Sequence, residues 1–536
     1  MTRLIFSALV LLAAPLALRA QTPASSRVGT VQFETSCAPS VRSTFATAVA
    51  HLHSFGFADA VRSFNAVLAT DSTCTMAYWG LALTAWANPF AAGIKPNAQL
   101  ERGLAAVQRG RALNGGTDRE RAYLAAAGRL YDNFTTADQR TRVLAYRDAM
   151  ADLSARYPHD DEAAIFHALA LAFSADPNDK TYAQLRKAGA ILDGLATRLP
   201  NHPGIAHYLI HSYDVPALAK DGLTAANRYA KIAPASAHAL HMPSHTYTRV
   251  GKWEESIATN RRSAEVAVAE QSYSEALHAN DYLMYAYLQT GQDAAALRVR
   301  DGLASLASHF DPAAVATGAP PAAGFFAMAA IPARYALERG DWKAAAALDA
   351  RETAFPFADA VTWFARGLGA ARIKDTLATA EAVRQLTRLR DALASRKENY
   401  WSQQVEIQRR GVAAWQRLAQ GDRSGAAAEM RATADLEATT EKNAITPGPI
   451  VPARELLAEM LLENGDAALA MREFTTTLTV EPGRFRALAG AMRAATMARD
   501  STNVRRYARQ LAEVATRGDD PGRPDLMSAR GVATPR

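Results

Sequence analysis

Gly465-Asp466-Ala467-Ala468-Leu469-Ala470-Met471-Arg472-Glu473-Phe474, running on to Pro482, is the stretch on which the fold turns. Gly465 permits a tight reversal between two helices, and the small Ala470 lets those helices approach. Phe474 fills the space between them and Pro482 ends the second. The same punctuation recurs at Gly251-Lys252-Trp253, Gly291-Gln292-Asp293, Gly340-Asp341-Trp342 and Gly421-Asp422-Arg423. Each of the last three turns is followed by a helix opening on a small residue: Ala296, Ala345 or Ala426. Alanine dominates the composition, with abundant Leu and Arg and little of the Val, Ile, Thr and aromatic alternation that half-buried strands need. The chain is therefore expected to be all-α and built of paired helices.

The segment from Phe57 through Ala60, Phe64 and Asp71, and that from Gly465 through Ala470, Phe474 and Pro482, resemble the tetratricopeptide (TPR) repeat. The resemblance implies a TPR-like helix-pair solenoid, a right-handed superhelix of about eight to ten pairs. At 536 residues the chain exceeds what one hydrophobic core usually supports, which fits an array. The turn glycines at 251, 291, 340 and 421 lie 40, 49 and 81 residues apart, so insertions or degenerate pairs intervene. Asp311-Pro312, Gly318-Ala319-Pro320-Pro321 and Gly324 suggest a divider. The expected organisation is a signal peptide at 1–20, an N-terminal strap at 21–43, a His-rich array at 44–308, a Pro/Gly linker at 309–324, a second array at 325–518 and a disordered tail at 519–536.

Arg3, the apolar run Leu4 to Leu18 and Arg19-Ala20 read as a signal peptide, giving a periplasmic or secreted protein. No later run is long and apolar enough to span a bilayer. Without Arg3 and Arg19 the basic count falls from 60 to 58 against 53 acidic residues, a formal charge of +5. The basic residues are scattered without aromatic interleaving, which argues against nucleic acid as a partner. Cys37 and Cys74 are the only cysteines. In an oxidising compartment they read as one disulfide joining the strap to the end of the first repeat, the alternative being two buried thiols.

Seven of the twelve histidines fall between positions 202 and 278. His207-Tyr208-Leu209-Ile210-His211 is followed 34 residues later by His241-Met242-Pro243-Ser244-His245. Counted from Gly251 in the repeat, His238, His241 and His245 take positions that the TPR resemblance assigns to the concave groove. By the same count from Gly291, so do His278, Asp281 and Tyr285. Tyr208, Asp214 and Arg249 surround this patch. An i, i+4 imidazole pair faces one side of a helix, so His207, His211, His241 and His245 are candidate ligands for a divalent transition metal such as Zn, Cu, Ni or Fe. The alternative is that the histidines only hydrogen-bond a groove ligand or one another. Pro243 either kinks its helix or starts it; if it starts it, the i, i+4 reading holds for His207 and His211 alone.

Leu52-His53-Ser54-Phe55, Met76-Ala77-Tyr78-Trp79-Gly80, His202-Pro203 with His207 to Asp214, and His238 to His245 resemble a group of uncharacterised bacterial TPR proteins with no assigned activity. Two readings follow. One is an exported scaffold holding a peptide, protein segment or small ligand in an open, His-lined groove. The other is a metal-binding protein or metal-dependent enzyme. No phosphate loop is present, since Gly367-Leu368-Gly369 runs into Ala-Ala-Arg with no strand before it, and no Gly-x-Ser-x-Gly elbow occurs, so other enzyme classes are disfavoured.

Overall fold

The computed structural model describes residues 27–91, 93–314 and 318–533; the expected signal segment and residues 21–26 of the strap lie outside the described residues. Every regular element among the described residues is helical, from Arg42–His53 to Pro524–Ala533. Successive helices pack on one another along the chain, as in Trp253–Ala269 with Tyr273–Gln289 and Ala453–Asn464 with Ala467–Val480. The fold is an all-α solenoid of paired helices.

The sequence signals act as steric devices. At Gly465 the backbone takes φ 92°, a left-handed turn that glycine adopts without Cβ strain. The ring of Phe474 lies on Gly490, where a Cβ would stand 2.2 Å from it, and Phe64 meets Gly80 at the same 2.2 Å. The contact is thus repeated near both ends of the chain, and any side chain at either glycine would drive the helices apart. Trp79 is part of the core, enclosed by the rings of Phe33, Tyr123 and Phe166.

The strap crosses the first helices with Val28, Val31 and Phe33 buried. Cys37 and Cys74 are disulfide-bonded, closing a 37-residue separation. The Ala38 amide donates to Asp71 Oδ2 at 2.8 Å beside the bond. Reduction, or Cys37→Ser with Cys74→Ser, is expected to lower stability by about 3–4 kcal/mol through released loop entropy; urea unfolding with and without reductant measures it, and coincident curves would count against a stabilising role.

Two expectations are corrected. Residues 321–324 are not linker but the opening of the helix Pro321–Glu338. Pro321 is tolerated there because the first helical amide has no partner in any case, and Gly324 admits the ring of Phe310. Nor are residues 519–533 disordered: Pro524–Ala533 is a helix with Leu526 and Ala529 buried, and 534–536 lie outside the described residues. Its polar residues serve as anchors. Asp519 Oδ2 accepts from the Ala294 amide at 2.8 Å, and Arg523 Nη2 reaches Asp293 Oδ1 at 2.6 Å.

The chain also closes on itself. The Phe485 amide donates to Gln289 Oε1, and Trp253 Nε1 donates to the Gly483 carbonyl. The connection between the helices Arg423–Ala438 and Ala453–Asn464 then lies across the concave side. From it, Lys442 Nζ reaches Asp214 Oδ2 at 2.7 Å, while the Thr446 carbonyl accepts from the Tyr282 hydroxyl at 3.1 Å.

Candidate metal centre

The histidines sit on three consecutive inner elements. Pro203–Ser212 carries His207 and His211; the short helices Ala237–His241 and Pro243–Arg249 carry His238, His241 and His245; Tyr273–Gln289 carries His278. Pro243 does start a helix, yet His241 is not pre-helical. Met242 between the two helices keeps right-handed helical angles, φ −52° and ψ −37°, so the helical path runs through the break. His241 and His245 therefore still face one another, their Nε2 atoms 3.1 Å apart.

These side chains do not line an open groove. His207 and His241 are 0% exposed and His211, the most open of the six, 7%. The connection across the concave side is one cause, and aromatic packing another: Phe90 stacks on His211 at 3.8 Å, and Phe55 lies against His207 and His238. Nor do His207, His211, His241 and His245 form a single site. The structure sorts the cluster into two triads, His207–His211–His238 and His241–His245–His278, in each of which one ligand atom per residue lies within 4.8 Å of the others. The 34-residue repeat brings the two pairs onto neighbouring elements, but each finds its third nitrogen elsewhere.

In the second triad the tautomers are set by the partners. His245 Nδ1 donates to Asp214 Oδ2 at 2.9 Å, a carboxylate that can only accept. His241 Nδ1 donates to Asn260 Oδ1 at 2.7 Å, and Asn260 is oriented by its Nδ2 donating to the Ser256 carbonyl. Both protons are on Nδ1, so the two Nε2 atoms present lone pairs to each other. His278 Nδ1, also buried, has no hydrogen-bond partner. Asp214 is fixed in turn by Arg249 Nε at 3.0 Å and by Lys442. Although burial pushes the Asp214 carboxyl up, Lys442 and Arg249 hold it well below the usual range. Burial pushes His241 and His278 well below the ordinary imidazole value, with neighbouring imidazoles adding to it. His245 is pushed down to about 4, burial outweighing Asp214.

No known family and no curated relative matches the chain. Among solved structures it is similar to a chain of the APC/C hetero-tetramer Cut9–Hcn1, at 11% identity over 92% of this chain and 90% of that one, TM-score 0.34. It is also similar to a chain of Naa15/Naa10 bound to HypK-THB, at 12% identity over 91% and 80%, TM-score 0.24. A circular tandem repeat protein with novel repeat topology matches at 12% identity over 91% and 95%, TM-score 0.14. Likenesses this remote transfer no site, ligand or partner.

The other expected groove residues are structural. Asp281 Oδ1 accepts from Arg334 Nε at 2.9 Å, with both side chains fully buried, and belongs to neither triad. The Tyr285 hydroxyl accepts from Arg484 Nη1 and donates to Glu481 Oε2. The Tyr208 hydroxyl meets His53 Nδ1 at 2.9 Å. Arg249 donates from Nε to Asp214 Oδ1 and from Nη2 to the Asp214 carbonyl, each at 3.0 Å. A third cluster, overlooked in the sequence, joins His53, Glu162 and His202, with Glu162 bridging the two Nε2 atoms at 3.0 and 2.9 Å. Its imidazole nitrogens are taken by protein partners, so it is a satisfied hydrogen-bond bridge. Asn260, Glu275 and Lys442 carried no signal in the sequence: Asn260 comes from the outer helix Trp253–Ala269, Lys442 from an aperiodic connection, and Glu275 stands one turn before His278 as an ordinary helical carboxylate.

Two facing lone pairs at 3.1 Å repel unless a cation lies between them. Nitrogens at that separation, each about 2.05 Å from a shared ion, subtend roughly 98° at it, within the range of transition-metal coordination. Burial disfavours a proton in that place. The chemistry open to the second triad is thus three neutral imidazoles, with carboxylate and amide groups behind them, which suits a divalent ion of the Zn, Co, Ni or Cu type.

Proposed function

We propose that this chain is an exported helical-repeat protein that binds a divalent transition metal through His241, His245 and His278. The single observation that carries the reading is the 3.1 Å approach of two Nε2 atoms whose rings each donate their other nitrogen elsewhere. Export is supported by the Arg3-to-Ala20 signal pattern and by the Cys37–Cys74 disulfide, a bond that persists in oxidising compartments. The test is elemental analysis of the mature, untagged protein after exposure to stoichiometric zinc and desalting. Wild type is expected to retain zinc, and His241→Ala/His245→Ala to hold one equivalent less. Zinc-free wild type, or a variant that holds as much as wild type, would overturn the reading.

A scaffold that binds a partner segment or small ligand is the second reading, and one feature favours it. A cavity of about 720 Å³ lies between the arrays, walled by Trp86, Phe90, Tyr400 and Trp401 and reached by His211 and Asp214. Helix-pair solenoids commonly use their inner surface in this way. The cavity would take a small ligand or a single side chain of a partner.

A further inference from the structure

We propose that His207, His211 and His238 form a second metal site, distinct from the first, whose ion faces the large cavity and takes a small anion there as its outer ligand. His207 Nδ1 donates to the His53 carbonyl at 2.6 Å, which leaves Nε2 as a bare lone pair. The Nε2 atoms of all three residues are buried without a hydrogen-bond partner. Buried polar atoms are ordinarily satisfied. Three unpartnered nitrogens on neighbouring rings, that of His207 fixed as an acceptor and those of His211 and His238 free to become one by choice of tautomer, lie in residues that can bring one nitrogen each to within 4.8 Å, a pattern that a metal ion resolves at once. His207 and His211 stand one helical turn apart with ring centres 4.9 Å from each other, and His238 is 5.1 Å from His207. Donors around a tetrahedral ion lie about 3.4 Å apart, so small side-chain rotations close the site.

The surroundings complete the pattern. His238 Nδ1 lies 3.3 Å from Glu275 Oε1, an ion-pair distance that a small ring rotation would turn into a hydrogen bond, and that oxygen is itself fixed by the Ala319 amide at 2.6 Å. A carboxylate behind a ligating imidazole and a carbonyl behind another are the outer partners that metal-bound histidines use. Three protein ligands leave one position of a tetrahedral ion for an exogenous group.

The direction of that position follows from the lining of the cavity. His211 borders it, whereas the second triad contributes no residue to its wall. Two buried lysines border it as well. Lys442 is paired with Asp214, whereas Lys95 Nζ donates to the Asn88 carbonyl at 2.8 Å, meets no carboxylate among the described residues, and is pushed down to about 7 by burial. The open position of the ion and the aromatic wall of Trp86, Phe90 and Trp401 suit a small anion such as a carboxylate bound to the metal itself and not held by the charge of the wall, since Asp138, Asp176, Asp179, Asp214, Glu398 and Glu441 line the cavity beside its basic residues.

This inference stands on the first triad alone and is separable from the proposal for the second. Mature protein is loaded with cobalt(II), desalted, assayed for cobalt per chain, and titrated with azide and with benzoate while the visible absorption of the ion is followed. Two cobalt ions per chain are expected, with an anion-dependent spectrum in wild type and in His241→Ala/His245→Ala. His207→Ala/His238→Ala should hold one ion and lose the anion response. His211→Gln, at the cavity wall, carries the same test if that double variant fails to fold. A single ion that survives both changes in the first triad, or a spectrum indifferent to both anions, overturns the inference and leaves the second site standing. Conversely, full loading after loss of His241 and His245 would remove the second site and leave this one.

Discussion

Arg334→Ala is expected to destabilise the chain by about 3–5 kcal/mol, the cost of stripping one partner from a buried ion pair, and to uncover the histidine cluster. Arg334 is fully buried, and its guanidinium serves two masters. Nε holds Asp281 Oδ1 at 2.9 Å on the helix that carries His278. Nη2 reaches Thr446 Oγ1 at 2.9 Å and the Gly448 carbonyl at 3.0 Å, and Nη1 reaches the Pro449 carbonyl at 3.0 Å. The connection over the concave side is thus pinned by the same group that neutralises Asp281. Burial already raises the Asp281 carboxyl, so part of the loss would be relieved by its protonation. Arg334→Lys keeps the charge but not the planar fork, and should fall between wild type and alanine. Urea unfolding gives the stability, and limited proteolysis within 441–449 reports the freed connection. A variant as stable and as protected as wild type would refute the pinning role.

The repeat was legible because its signals are local. Turn glycines, small helix-opening residues and Phe64 and Phe474 mark each pair by sterics that operate within a few residues. The pairing of Cys37 with Cys74 was likewise readable, as only two cysteines exist. What escaped the sequence are contacts that cross long separations. Nothing in Glu441 to Pro452 has a period, so the segment reads as an ordinary connection, yet it closes the groove. Repeat counting assigned Asp281 and Tyr285 to the concave groove; their partners Arg334 and Arg484 lie 53 and 199 residues away and hold them in a buried network. The histidines were located, but their grouping was not. Repeat arithmetic pairs His207 with His241 and His211 with His245, whereas the geometry recruits His238 and His278 as third members. The tail misled because Gly, Pro, Asp and Arg are common both in disordered segments and in caps and ion pairs, and only the burial of Leu526 distinguishes the two.

Zinc should raise the stability of this protein by about 4 kcal/mol at a thousandfold excess of free ion over Kd, from one site alone. The metal-free state sets the size of the effect. Its inner face contains two facing lone pairs at His241 and His245 and further bare imidazole nitrogens at His207, His211 and His238. Each buried acceptor without a partner costs on the order of 1–3 kcal/mol. The rings stay neutral at pH 7 because burial pushes His207, His211, His241, His245 and His278 below the ordinary value, so no proton need be displaced when the ion enters. The ion therefore meets ligands already in their binding form, oriented by Asp214, Asn260 and the His53 carbonyl. The unfolded chain offers scattered histidines with no such preorganisation. The urea midpoint is accordingly expected to climb with the logarithm of free zinc, buffered by a chelator, and to fall back when the chelator is in excess. In His241→Ala/His245→Ala the facing lone pairs are gone, so the metal-free variant loses less than two buried histidines would suggest, and its zinc response shrinks by the share of the second site. A midpoint that ignores free zinc in wild type would mean that the clustered imidazoles are packing groups only, and that the cost of their bare nitrogens is met by water.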